Sequence, residues 1–333
     1  MEKNIIFTGI GDNLLNVINY FIKDKNVKVC AVIPLRNAKG TKKFVQNIKK
    51  ISLSNQSILN LENINSSKSI NKIKKLSPDL ICNWGHNQLF GKELLNIPKI
   101  GCLNIHPGLL PNGRGSGAVQ GEVINKKQVG WSCHLMDNKF DKGFLISQKK
   151  LIFKKDKIPY LNEIIKKLLY NADKFYVTSI KKVLMNKNLK KKKLTSFGRY
   201  YPKFSPGDEF IDWNDKSDHI LRKIRSRSPQ ILSITYIDKL KKKYFVKKAT
   251  KSKVKTYKFV NGQIIDKDKR KGVLVKTGDT ALWLSLGSFD KKKFKIPNFK
   301  IGTCFYTNSI GNTFKLLEKI NNLEKKLKRS KLT

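Results

Sequence analysis

Short apolar runs alternate with amphipathic stretches along the first half of the chain. "NIIFTGIGD" is an apolar run ending in glycines, and "NLLNVINYFIKD" then spaces Leu14, Leu15, Ile18 and Phe21 along one helical face. "VKVCAVIPL" is a second buried strand. The order strand, glycine turn, helix, strand predicts the opening of an α/β fold with a doubly wound, mostly parallel, Rossmann-like sheet. "SINKIKKLSPDLICNW" repeats it, with a basic helix, a Ser-Pro-Asp break and a strand. "IGCLNIH" is another apolar run, "AVQGEVIN" reads as a helix, and "VGWSCHLMD" alternates as a strand does. "FLISQKKLIF" is strand-like again, and Ile158 to Met185 carry one long amphipathic helical pattern.

The second half has a different rhythm. "MNKNLKKKKLTSFGRYYPKFSPGD" is lysine-dense and broken by glycine and proline, which predicts a basic linker or strap over residues 188–208. "SDHILRKIRS" is a short helix with Ser217 as its expected cap. "SITYID", "KKYFVKKA", "GVLVKT" and "ALWLSLG" are short strands between turns. They predict a smaller C-terminal β-barrel domain of OB-like form over 209–310, after a first domain over 1–187. Residues 311–333 read as a basic helical tail.

Composition narrows the partners. A formal charge of +46, from 70 Lys+Arg against 24 Asp+Glu, favours polyanions: nucleic acid, phosphorylated small molecules or an anionic surface. Lysine, isoleucine and asparagine are enriched together throughout, so a genome-wide compositional bias accounts for the charge equally well. The five cysteines have no C-x-x-C spacing, which argues for a reduced compartment with neither a disulfide framework nor a metal site. The opening apolar run is too short for a signal peptide and no run spans a bilayer, so a cytoplasmic, membrane-free protein is expected.

The chemistry concentrates in "LNIHPGLLPNGRGSG", residues 103–117. Ligands of a parallel sheet bind beyond the carboxyl ends of its strands, and "GCLNIH" delivers Asn104 and His106 to such an end. Alternation points both to one side, with Ile105 opposite. "MDNKFDKG" offers Asp137 and Asp141 after another strand. An Asn donor, a His and an Asp suffice for an amine to attack a carbonyl: Asn holds the developing oxyanion, His polarises or shuttles, and Asp takes the amine's proton or tunes His. His134 within a strand and His219 within a helix read as structural, and "GIGDN" as no more than a tight turn.

"LNIHPGLLPNGRGSGAVQGEVINKKQVGWSCHLMDNKFDKG" resembles the core of the folate-dependent formyltransferases, whose pattern is N-x-H-P-x-L-L-P, a Gly-rich turn, a helix, a strand and D-x-G. The resemblance implies Asn104, His106 and Asp141 as catalytic residues and 10-formyltetrahydrofolate as formyl donor. It places the folate against Asn83, Trp84, Gly85, His86 and Gln88, and against Leu110, Pro111 and Gly115 of the loop. "YYPKFSPGDEFIDWNDKSDHILRKIRS" is similar to the opening of the family's C-terminal barrel.

Two acceptors suit that layout. In the methionyl-tRNA enzymes a basic loop holds the tRNA, and "PLRNAKGTKK" would supply Arg36, Lys39, Lys42 and Lys43 to phosphates. "RGSGAVQ" and "RSRSPQILS" depart from the pattern of those enzymes and resemble the sugar-nucleotide N-formyltransferases. A nucleotide-linked amino sugar is therefore the favoured acceptor and initiator Met-tRNA the alternative; a homodimer stays open. A formyltetrahydrofolate hydrolase has no need of a barrel. An inactive RNA-binding homologue would use "KKKYFVKKATKSKVKTYKF" to stack bases, but the intact Asn104, His106 and Asp141 argue against it.

Overall fold

Apolar β-branched runs build the first sheet. The computed structural model describes residues 2–51, 57–153, 159–185, 192–195, 197–237, 242–255, 259–290, 293–307 and 320. The chain opens with β1 (Lys3–Gly9), α1 (Asp12–Ile22), β2 (Val27–Pro34), α2 (Thr41–Lys50), α3 (Ser67–Lys75) and β3 (Leu80–Trp84). It continues through α4 (Lys92–Leu95), β4 (Gly101–His106), α5 (Ala118–Ile124), β5 (Gly130–Leu135) and β6 (Phe144–Lys150). Then come α6 (Leu161–Leu169), α7 (Ala172–Met185) and β7 (Lys192–Lys193). These described strands form one sheet in the order β2-β1-β3-β4-β5-β6-β7. β1 to β4 are parallel, while β5, β6 and β7 add antiparallel. The connections diverge between β1 and β3, the kind of position at which open α/β sheets bind ligands beyond the carboxyl ends of their strands.

One face of this sheet packs Ile6, Ile33, Ile81 and Cys102 against Ile70 and Ile73 of α3 and Leu94 of α4. On the opposite face Tyr176 of α7 is fully buried, and its hydroxyl lies 3.0 Å from Asn83 O and 2.8 Å from Leu103 O. The long helix expected from Ile158 to Met185 is two helices. Asn171 lies between them at φ 56°, a left-handed conformation asparagine adopts readily and one that ends a helix.

The second unit contains α8 (Ser217–Arg225), β8 (Ser233–Ile237), β9 (Lys242–Lys251), β10 (Ile264–Asp268), β11 (Gly272–Lys276), β12 (Ala281–Asp290) and β13 (Lys293–Lys295). Its sheet runs β10-β11-β12-β9-β8, antiparallel throughout, with β13 on β12. Phe305 N donates to Gly262 O at 2.9 Å and Tyr306 N to Tyr236 O at 2.9 Å, so one segment meets residues beside both edge strands. Trp213, Ile220, Ile224, Val246, Leu284 and Phe305 are its buried centre. Lys216, not Ser217, is the N-cap of α8; Ser217 N donates to Asp279 Oδ1 at 2.7 Å, so a residue distant in sequence satisfies that helix end.

The chain divides into two compact units, Met1–Lys155 with Glu163–Lys203, and Asp156–Asn162 with Phe204–Thr333. Much of the stretch expected as a linker, 188–208, belongs to the first unit. β7 pairs with β6, and Leu194 N donates to Gly143 O at 2.8 Å. The tail expected over 311–333 lies outside the described residues, Ile320 excepted. No helix among the described residues is long and apolar enough to cross a membrane.

Candidate active site

One pleat beyond the apolar cluster, the same sheet face turns polar. Strand register sets Thr8 beside Asn83, Asn83 beside Asn104, and Asn104 beside His134. All four side chains are buried, and each meets the next. Thr8 Oγ1 donates to Asn83 Oδ1 at 2.9 Å, and Asn83 Nδ2 to Asn104 Oδ1 at 2.8 Å. Asn104 Nδ2 lies 3.1 Å from His134 Nε2, and His134 Nδ1 lies 2.9 Å from Lys142 O. A carbonyl only accepts, so His134 carries its proton on Nδ1 and accepts from Asn104 on Nε2. Burial, with His106 nearby, pushes His134 down to about 4 and keeps it neutral. This fixes the Asn104 amide orientation and leaves one of its two N–H donors for a ligand.

His106 follows two residues later on β4, on the same side. Its Nδ1 lies 3.4 Å from Asp141 Oδ1 and its Nε2 lies 2.5 Å from Gly113 O. Both ring nitrogens thus face oxygen acceptors, an arrangement that suits a ring able to hold two protons. Asp141 stands at φ 51°, and its Oδ2 accepts from Gly115 N at 2.7 Å. Gly108 is required here. A Cβ on it would fall 2.1 Å from Gly113 O and 2.7 Å from His106 Nε2. Ser132, paired with His106 across β4 and β5, accepts from Leu110 N at 3.0 Å and donates to Gly108 O at 2.6 Å, pinning the loop from below.

The structure thus brings Asn104, His106 and Asp141 together and adds His134, which the sequence reading left as structural. The expected folate-contacting residues divide. The Asn83 side chain is spent within the polar row and also accepts from His86 N at 3.0 Å. Trp84 turns to the opposite face, against Trp131 and Tyr176. Gly85 is exposed at φ 69°. His86 accepts from Gln88 N at 3.2 Å and burial lowers its pKa. The Gln88 side chain accepts from Ile64 N at 2.8 Å and donates to Glu62 O at 2.9 Å, tying two loops together. Leu110 is buried, Pro111 half-buried, and Gly115 holds Asp141. Arg36 lies 2.5 Å from Glu62, whereas Lys39, Lys42 and Lys43 are exposed.

A cavity of about 270 Å³ is lined by Arg36, Asn37, Leu61, Glu62, His86, Asn87 and Gln88. It touches none of Asn104, His106 and Asp141, so it is no substitute for the position at the strand ends. Burial pushes the Cys102 and Cys133 thiols up to about 12, so neither is a ready nucleophile. Among the described residues no cluster of His, Cys, Asp or Glu could hold a metal.

An oriented amide N–H beside a histidine bracketed by a carboxylate and a carbonyl is an arrangement chemically suited to acyl-type transfer. The formyl transferase family model matches residues 2–179, and the model of that family's C-terminal domain matches 203–303. The chain belongs to the formyl transferase family. It is 32% identical over 203 residues to the bifunctional polymyxin resistance protein ArnA of Wigglesworthia glossinidia brevipalpis, a match covering 60% of this chain and 31% of that protein. The matched region therefore spans about a third of the length of that relative. It is 29% identical over 293 residues to the methionyl-tRNA formyltransferase of Clostridium tetani, covering 87% of this chain and 93% of that one. In fold it is similar to the N-formyltransferase of Helicobacter canadensis solved with folinic acid and dTDP-3-aminofucose. There the TM-score is 0.61 at 15% identity, over 86% of this chain and 99% of that one.

Proposed function

We propose that this protein transfers a formyl group from 10-formyltetrahydrofolate to a primary amine carried by a nucleotide-linked sugar. The observation that carries the transfer is His106, held between Asp141 Oδ1 at 3.4 Å and Gly113 O at 2.5 Å, two residues from an Asn104 amide oriented by His134. The folate supplies a formyl group on nitrogen, activated for exchange. Gly85, His86, Leu110, Pro111 and Gly115 border the strand ends where it would be held, with Leu110 as an apolar wall. The polar row ending an otherwise apolar sheet face fits such a ligand, because Asn104 keeps one donor uncommitted there.

The reaction forms one C–N bond and breaks another while one proton passes from the acceptor amine to the departing nitrogen. Asn104 donates to the oxygen on which charge grows as the amine adds. His106, with acceptors facing both ring nitrogens, gives a proton to the departing nitrogen and regains one from the amine. Asp141, fixed by Gly115 N, steadies the charged ring.

The strap after β7 supports the choice of acceptor. Tyr201 N donates to Arg114 O at 2.8 Å and Gly117 N to Tyr201 O at 3.0 Å, so the strap lies along the loop that holds Asp141. Arg199 and Tyr200 are exposed on it, a cation for a diphosphate and a ring for a base. Initiator Met-tRNA is the second reading, favoured by the full-length likeness to the Clostridium tetani enzyme. Arg36, Lys39, Lys42 and Lys43 would then meet phosphates. The test is incubation with 10-formyltetrahydrofolate and either a dTDP- or UDP-linked 4-amino sugar or charged initiator tRNA. Formylated sugar is the expected product. Formylation of tRNA alone overturns the acceptor, and turnover of neither amine overturns the enzyme.

A further inference from the structure

Glu122 of α5 is a carboxyl that this chemistry does not use, and it is 2% exposed. One oxygen accepts from Leu109 N, while Oε2 has no hydrogen-bond partner among the described residues. A carboxyl so buried needs a reason, because an unpaired buried oxygen costs stability. Its neighbour is Gly113: a Cβ there would fall 2.6 Å from Glu122 Oε1, so glycine alone lets the two approach. Gly113 O is the acceptor that faces His106 Nε2. Leu109 O in turn accepts from Gly113 N at 3.0 Å, closing a turn that Glu122 grips from inside.

We propose that Glu122 is a positioning residue that acts on His106 through the Leu109–Gly113 turn, holding the carbonyl against Nε2 and supplying a second carboxylate on the side opposite Asp141. The proposal rests on the formyl-transfer reading for its consequence in turnover, but its geometry stands without an acceptor. Burial pushes the Glu122 carboxyl up to about 7, with the Leu109 N–H and Arg199 opposing. The groups facing Glu122 are Arg199 and the Tyr201 phenol on the strap, and Arg114 at the loop's exit donates to Gly198 O at 2.7 Å. His106 itself faces Asp141 and, beyond Asn104, His134. An ionised Glu122 behind the Gly113 peptide favours the doubly protonated imidazole; a neutral one does not.

Glu122→Gln separates the two parts of the role. The amide oxygen can still accept from Leu109 N, so the turn stays, while the charge is gone. The readout is the pH titration of the His106 ring in the full chain by histidine ¹⁵N–¹H spectra, assigned with His106→Gln. In Glu122→Gln the His106 midpoint is expected to fall by about half a pH unit or more, and its curve to lose any second inflection, with His219 unchanged. In formyl transfer, Glu122→Leu should lower kcat about tenfold with KM for the folate held, and Glu122→Gln should recover most of it at pH 6. A His106 titration in Glu122→Gln that superimposes on the wild type overturns the proposal, whatever the melting temperature. Because that titration needs no acceptor, a protein that formylates neither amine refutes the activity and leaves this reading standing.

Discussion

The polar row of the first sheet and the lysines of β9 in the second are placed in opposite ways. In the first, Thr8, Asn83, Asn104 and His134 form a buried row whose members are bonded to one another across four strands. In the second, the polar groups of β9 are exposed lysines, two of them over rings: Lys243 at 5.2 Å from the Phe245 centroid and Lys247 at 4.6 Å from that of Phe294. Burial makes each bond in the row expensive to lose, whereas solvent screens the lysines. The proposed chemistry therefore draws on the sparse buried set and not on the abundant charge. A formal +46 says less about this molecule than two donor hydrogens on Asn104.

The largest effects should come from the centre. His106→Ala and Asp141→Ala are each expected to lower formyl transfer about a thousandfold or more with folding preserved, and Asn104→Ala about a hundredfold. Steady-state rates beside thermal melts measure this. Near-wild-type turnover in either of the first two would remove that side chain from the chemistry.

Next come two groups whose burial acts with opposite sign over overlapping pH windows. His134 is neutral when folded, with its pKa lowered from 6.5 to about 4 by burial first and His106 second. The unfolded chain binds the extra proton in that interval, so His134 costs stability as pH falls from 6.5 to 4. Glu122 has its pKa raised from 4.5 to about 7, so the folded chain binds the extra proton and stability is lost as pH rises from 4.5 to 7. Each shift is worth roughly 3 kcal/mol at the far end of its window, and in the wild type the two slopes oppose. Glu122→Gln should gain stability at pH 8, and His134→Gln should lose less between pH 6 and 4. Denaturant midpoints across pH measure both. Parallel curves for the wild type and Glu122→Gln would mean the carboxyl is not held neutral by its site.

Much of this was legible beforehand, because it depends on local rules. Alternation along β4 places Asn104 and His106 on one side, and the glycines and prolines that follow announce a shaped loop. His134 escaped because its partner is set by the antiparallel register of β5 against β4, which no local pattern encodes. Glu122 is only one residue of a predicted helix until Gly113 is seen against it. The stretch predicted as a linker or strap could not be placed for the converse reason. Its lysines and glycine look like a linker, yet pairing with Arg114 and Gly143 folds it onto the first unit.

A smaller effect should separate packing from chemistry at the row's foot. The Tyr176 hydroxyl braces the ends of β3 and β4 through the carbonyls of Asn83 and Leu103. Tyr176→Phe should cost about 1 kcal/mol in denaturant unfolding, leaving KM near the wild-type value. A change in KM of tenfold without loss of stability would place the hydroxyl in ligand binding.

The smallest expected effect is in the lysines. Lys243, Lys247 and Lys248 are exposed on β9, so replacing each by Gln should change stability by under about 0.5 kcal/mol. The triad lies in the other unit, so kcat on a saturating acceptor should not move. Their worth lies in the acceptor. A sugar nucleotide presents two phosphates to the strap, so its KM should respond weakly to salt in wild type and triple variant alike. A tRNA spread over basic surface would lose about one unit of log–log salt slope for each phosphate contact removed. Measuring KM between about 50 and 200 mM salt for both proteins therefore asks whether the second unit's charge takes part. Equal slopes leave it a solvated face; a slope lower by about three in the variant makes those lysines a nucleic-acid surface and moves the acceptor to tRNA.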